Sequence, residues 1–434
     1  MAYGKRMCGL CMILFIALML HGCSEQSVMK EDTEKSQVAE TPVSVTPTEE
    51  KSDVLQSENI KKKAESLKPQ KVITPTPESE KAKEDKITAL LEEMTLEEKI
   101  AQMFFITPDA LTGISGTQMI GDITKEQFGT YPVGGFVFFD SNIQSPEQII
   151  QMNSNLTEIS LERIGIIPFL GVDEEGGTVL RIADNPAFPQ EDIGNMSAIG
   201  AVGDISKAYQ IGAYLGEYLK EYGFNVEFAP VADVWNNPEN TVVKERSFGS
   251  EPKSVAEMVR EETKGIQKQG ISAVLKHFPG HGATTEDSHN GSAVSNRSLE
   301  QLRAEEFLPF ASGIAAGADF VMTGHIIVPE ITGDMPASLS AAVITDLLRE
   351  ELGFQGITVT DAMNMQSVTD SYSSAEAAVL AIQAGTDMIL MPEDFRMAYE
   401  GVCNAVYNGE ISEEKINESV TRILRVKLEK QDFE

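Results

Sequence analysis

Eight short, almost uninterrupted apolar runs punctuate the chain beyond residue 87, and they restrict its fold more than any other feature. They fall at 102–106, 135–139, 166–172, 226–230, 273–276, 320–323, 357–360 and 388–391. A strand with one wet face alternates apolar and polar residues. A run without alternation suits a strand buried on both faces, as in a parallel sheet. Stretches with helical periodicity separate the runs, at 145–159, 205–222, 252–268, 299–316, 341–352 and 375–384. A last one spans 412–429, with Ser412 placed to cap its start. Eight strands with intervening helices predict an α/β fold, a single (β/α)8 barrel of the TIM type. An open doubly wound sheet is the main alternative, and the strand count favours the barrel. A helix over 84–99 is expected to pack across the barrel before the first strand. About 40 residues follow the eighth run, too few for a further ordinary domain, so one domain over 87–434 is expected.

The preceding residues read differently. Lys5 and Arg6 lead an apolar run over 7–20, followed by His21, Gly22 and Cys23. A basic start, a short apolar core and a small residue before the break describe an export signal over 1–22, too short for a comfortable membrane span. Cys23 sits where a bacterial lipobox places its acylated cysteine, and His21 departs from the small residue usual at that position. Residues 23–86 are rich in Ser, Thr, Pro, Glu and Lys and lack aromatics, the composition of a disordered tether. A flexible chain of that length holds its cargo roughly 40–45 Å from the anchor on average. The expectation is an extracytoplasmic domain, lipid-anchored to the outer face of a bacterial membrane. With Cys8 and Cys11 in the signal and Cys23 acylated, Cys403 is left alone, which excludes an intramolecular disulfide and a Cys-rich metal site. The formal charge of −32 argues against nucleic-acid partners and against adhesion through anionic lipid.

In such barrels chemistry sits at the C-terminal strand ends. Those positions hold Asp140, Asp173, Asp233, Lys276 with His277, His325 and Asp361. A polar rim solvating the barrel mouth would account for one or two of them, Asp140 and Asp233 being the best examples. Asp361 follows a buried strand directly. A carboxylate held there suits a nucleophile or base, and a helix N-cap is an equally good reading from position alone. Asp173-Glu-Glu-Gly-Gly with Arg181 downstream has the make-up of a ligand-gripping loop: an acid to accept from hydroxyls and glycines that allow close approach. Glu174 and Glu175 are as well explained as solvated neighbours. Arg246, in a long loop after the fourth run, is either a second fixed donor or half of a structural salt bridge.

Three of the five histidines, His277, His281 and His289, fall within one loop that also holds Asp287. Histidine exchanges protons most easily near neutral pH, so the cluster suggests proton transfer; a metal site or a well-bonded structural loop is the plainer alternative.

Asp173-Glu-Glu-Gly-Gly, Arg246-Ser-Phe-Gly, Lys276-His-Phe-Pro-Gly-His-Gly, Asp287-Ser-His289 and Thr360-Asp361-Ala-Met follow one another along this barrel. Together they resemble glycoside hydrolase family 3, in its β-N-acetylglucosaminidase branch, over residues 87–400. Glu174 stands where the family often has Gln. The resemblance implies Asp361 as nucleophile, His289 as acid/base and Asp287 as the group orienting His289. It implies that Asp173, Arg181, Arg246, Lys276 and His277 hold the sugar; His281 is expected to shape the loop. No cofactor or metal is implied. The implied activity is retaining, exo-acting hydrolysis of terminal β-linked N-acetylglucosamine, with carbohydrate as the partner, peptidoglycan fragments as the expected source and a monomer as the expected state. Many β-glucosidases of the family take their acid/base from a domain after the barrel, so here the proton donor is expected from a barrel loop. Alternatives within reach are a phosphorylase, since a neutral imidazole would not repel phosphate, a β-glucosidase, and a sugar-binding lipoprotein without catalysis.

Overall fold

The computed structural model describes residues 77–284, 291 and 293–431. Signal, Cys23 and the tether up to residue 76 therefore lie outside the described residues, as do Asp287 and His289; residues 77–86, expected as tether, instead begin the helix Pro77–Glu93. All eight runs form strands: β1 Phe104–Ile106, β2 Gly135–Phe138, β3 Phe169–Val172, β4 Val226–Glu227, β5 Ser272–Phe278, β6 Phe320–Thr323, β7 Ile357–Thr360 and β8 Ile389–Leu390. They pair in parallel in the order β8-β1-β2-β3-β4-β5-β6-β7. The ring closes through a parallel bridge between Val359 and Met388, reinforced by Met388 N–H donating to Thr358 O at 3.0 Å. This is the expected barrel. The β4 ladder is shorter than its apolar run because Pro230 has no N–H to donate.

Aromatic rings fill the barrel. Phe105 lies 5.4 Å from Phe228 and 6.2 Å from Phe169, and Phe169 meets Phe320 edge-on at 5.1 Å. Room for them comes from glycine on the facing strand: a Cβ at Gly171 would sit 2.8 Å from Phe228 and 2.9 Å from Phe105. Size is thus traded between neighbouring strands to keep packing dense.

Two long helices expected from periodicity are broken. The 84–99 stretch divides into Pro77–Glu93 and Leu96–Gln102, because Thr95 and Glu98 form a reciprocal capping box that starts a new helix. The first of these packs on the C-terminal helix Glu413–Gln431, with Lys83 pairing Glu429 at 2.9 Å. The 299–316 stretch divides into Leu299–Ala304 and Phe307–Ala315. Pro309 suits only the first turn of a new helix, and Glu306 at the break is buried and held at 2.7 Å by both Arg297 and Asn236, partners outside either helix.

Candidate active site

Parallel pairing brings the six polar strand ends to one mouth, and backbone bonds fix where each strand exits. Gly324 N–H donates to Phe278 O, and Asp361 N–H donates to Thr323 O, both at 2.9 Å. Side chains at these exits start from rigid elements, which sets their positions closely.

The centre of the mouth is a buried ionic network. Lys276 Nζ lies 2.7 Å from Asp173 Oδ1 and 2.6 Å from Glu175 Oε1. Arg246 grips Glu175 with both arms of its fork, Nε to Oε2 and Nη2 to Oε1, each at 2.7 Å. Its Nη2 is also 3.5 Å from His277 Nε2. His277 Nδ1 lies 2.8 Å from Asp233 Oδ2, and Asp233 Oδ1 accepts the backbone N–H of His281 at 2.7 Å. A carboxylate accepts only, so the His277 proton belongs on Nδ1 and leaves Nε2 as an acceptor facing Arg246.

Burial has consequences for charge. Glu175 is 2% exposed; burial, the largest influence, would raise its pKa, but Arg246 and Lys276 more than offset it and hold the carboxyl well below its usual range. Burial would lower the Lys276 pKa, yet Asp173 and Glu175 raise it, so the ammonium keeps its charge. His281 is pushed down by burial and by His277 beside it, with Asp233 opposing, so it stays neutral; its Nδ1 lies 2.9 Å from Thr284 Oγ1. That bonding fits the loop-shaping role expected for it.

Sequence leaves Glu174 and Glu175 open between solvated neighbours and participants, and neither is solvated. Besides Glu175, Glu174 is fully buried and collects four donors. Its Oε2 takes the N–H groups of Arg181 and Ile182 (2.6 and 2.8 Å), and its Oε1 takes Ala183 N–H (2.8 Å) and the Tyr218 hydroxyl (2.9 Å). It clamps the loop that carries Arg181. Asp233 likewise is not a rim group: it has no exposure and it holds His277. An unpaired acid inside the apolar stretch Phe228-Ala-Pro-Val-Ala-Asp-Val would be costly, and that cost was the available signal for a partner. Asp140 is a true rim residue, its side chain 78% exposed.

Arg181 stands apart from the network. Its Nε is 3.6 Å from Asp140 Oδ1, and its guanidinium lies over the Phe139 ring at 5.6 Å, on the β2 side of the mouth. Asp361 is half-buried at the β7 exit, with Oδ1 accepting Ala362 N–H at 2.8 Å. The next helix, Gln366–Thr369, is preceded by Met365 at its cap position, so Asp361 is not an N-cap. His325, fully buried, sits 3.0 Å from Ala362 O through Nε2 and 2.7 Å from Ser338 Oγ through Nδ1, bracing the turn beyond Asp361.

The structure thus brings Asp173, Lys276, Arg246 and His277 together and adds Glu175 and Asp233. Fixed cations, carboxylates and an imidazole gathered at one barrel mouth suit a ligand bristling with hydroxyls. Residues 95–426 match the family model described as the glycosyl hydrolase family 3 N terminal domain.

The chain belongs to glycosyl hydrolase family 3.

Among its relatives, "Beta-hexosaminidase A" of Pseudoalteromonas piscicida is 34% identical over 70% of this chain and 54% of that protein. A "Beta-hexosaminidase" of Stenotrophomonas maltophilia is 32% identical over 65% of this chain and 82% of that one. Among solved structures, a family 3 β-N-acetylglucosaminidase from a Paenibacillus species superposes with a TM-score of 0.73 at 36% identity. The match covers 78% of this chain and 63% of that enzyme. The chain therefore spans a little over half to under two thirds of the length of the Pseudoalteromonas and Paenibacillus proteins.

Proposed function

We propose that this family 3 barrel is a retaining β-N-acetylhexosaminidase that removes terminal β-linked N-acetylglucosamine. The observation that carries the reading is the ionic network Asp173–Lys276–Glu175–Arg246–His277–Asp233, set at the same barrel mouth as the strand-end carboxylate Asp361. The names of the relatives support the sugar. In this account Asp173, Lys276, Arg246 and His277 bind its hydroxyls, and Arg181, from the β2 side, lines the approach.

Asp361 attacks the anomeric carbon while the bond to the aglycone oxygen breaks, and His289 delivers a proton to that oxygen. Water then attacks the glycosyl-enzyme, giving its proton back to His289 and freeing Asp361. Two inversions retain configuration. Asp287 orients the His289 ring, as an acid does in a triad. Asp287 and His289 enter on sequence alone. So do the signal over 1–22, acylation at Cys23, a tether ahead of the helix Pro77–Glu93, placement outside the cytoplasmic membrane and a monomeric state. Wall-derived fragments are the substrate source that this placement favours.

The test is hydrolysis of a chromogenic N-acetylglucosaminide beside the matching glucoside. The account predicts clear preference for the first. Preference for the glucoside removes the assigned specificity, and inactivity on both supports a binding protein instead.

A further inference from the structure

Behind the segment that carries Arg246, on the same end of the barrel, lies a separate cavity of about 320 Å³. That volume falls within the range of small-molecule sites, about 300–1,000 Å³. Its walls come from the short helix Met196–Val202, the loop after β4 and the first turn of the helix Pro252–Lys268. Half-buried Trp235 supplies the aromatic surface, with Lys244 Nζ 5.9 Å from its ring centroid, Phe248 is buried beneath the wall, and Ser197, Lys244, Glu245 and Ser254 supply polar groups.

The walls are fixed. Trp235 Nε1 donates to Asn240 O at 2.9 Å, and Glu245 Oε2 accepts from Asn195 Nδ2 and Ser197 Oγ at 3.1 and 3.0 Å. Gly200 approaches Phe248 so closely that a Cβ there would fall 1.7 Å from its carbonyl oxygen. Consecutive residues divide the segment between two sites: Glu245 lines this cavity, whereas Arg246 turns to Glu175 and His277. One short stretch is thus a wall of both.

We propose that this cavity is an accessory saccharide subsite, holding one neutral pyranose unit of a glycan outside the Lys276–Glu175–Arg246 network. A pyranose has an apolar C–H face and a polar edge. The Trp235 ring matches the face, and the hydroxyl, ammonium and carboxylate groups match the edge. Glu245 and Glu251 both line the cavity, on a chain of formal charge −32, and they disfavour an anionic occupant such as phosphate. The inference rests on the reading of the chain as a glycan-acting enzyme.

Trp235 is the sole tryptophan of the chain, so intrinsic tryptophan emission reports on this cavity wall. The full chain is titrated with N-acetylglucosamine, alongside Ser254→Arg and Ala201→Leu, two substitutions that fill the cavity from different helices. The subsite predicts a saturable emission change in the native protein. Half-saturation should move up by about tenfold or more in both variants, a loss of about 1.4 kcal/mol. Hydrolysis of a chromogenic monosaccharide glycoside should stay within about twofold in both, as for ordinary surface substitutions. No saturable change in the native protein overturns the proposal. So does a change that persists unaltered in both variants, since it then reports the catalytic mouth. Loss of all glycosidase activity in the native protein would defeat the functional reading separately, and the titration would still decide the subsite.

Discussion

Replacing Glu175 with glutamine removes one charge from the middle of a buried network and strands two cations of unequal fate. Lys276 keeps Asp173 at 2.7 Å. Arg246 loses its counter-charge and one arm of its carboxylate fork, keeping at most one bond to the amide oxygen and the 3.5 Å approach to His277 Nε2. Its side chain is 13% exposed, so water compensates little. Breaking one partner out of a buried pair costs about 3–5 kcal/mol, most of it the uncompensated charge left behind. With about 2.1 cal/mol/K of unfolding entropy per residue over the 95–426 span, that corresponds to a fall in Tm of about 4–7 °C. Activity should fall further, because a misplacement of ~1 Å in the substrate-holding groups costs about a hundredfold. The assay is calorimetry with kcat/KM on a chromogenic N-acetylglucosaminide for Glu175→Gln, Arg246→Met and the double variant. Removing the stranded guanidinium should recover much of the Tm in the double variant and none of the activity, with a coupling of about 0.5–3 kcal/mol between the sites. A Glu175→Gln protein with unchanged Tm, or a double variant as unstable as the sum of its parts, would refute the reasoning.

Glu262 gives a pH test of the fold. Burial, assisted by the negative charge of Glu175 and opposed by Lys276, raises its pKa to about 8. The native state therefore binds more protons than the unfolded chain between about pH 4.5 and 8, and stability falls as pH rises through that window. Glu262→Gln should be no more stable than the native protein at pH 4.5 and progressively more stable up to pH 8; a pH-independent difference contradicts this. Asp233→Asn offers only one acceptor oxygen where the His277 ring and the His281 N–H need two. The His277 proton should shift toward Nε2, visible by nitrogen NMR, with kcat/KM down about a hundredfold; an unchanged tautomer with unchanged activity removes Asp233 from the site. His289→Ala should slow glycosides with poor leaving groups much more than activated aryl glycosides, as expected for loss of a general acid worth about 10²–10⁴-fold. Equal losses on both would take the acid role from it.

The strands were legible because burial on both faces leaves an unbroken apolar run, and β6 and β7 fall on the predicted residues. The polar strand ends were legible for the same reason, as breaks in apolar context. The break at Thr95 was also within reach, since Thr-x-x-Glu before an apolar run is a helix-start pattern. The break before Phe307 was half legible: Pro309 fits the first turn of a new helix, whereas the distant anchors of Glu306, Arg297 and Asn236, were hidden. Burial of Glu174 and Glu175 was hidden for a like reason. Glu175 is matched by Arg246, 71 positions away, and Lys276 by Asp173, 103 away. Local composition records an acidic loop; only the closed barrel supplies its counter-charges.

The central claim is that Asp361 becomes covalently bound to the sugar. A slow-turnover 5-fluoro N-acetylglucosaminyl donor, followed by intact-mass analysis and peptide mapping, reads this directly. The account predicts one glycosyl adduct per chain on the peptide containing Asp361, and none on Asp361→Asn. An adduct on that variant, or one mapped to another residue, would contradict it.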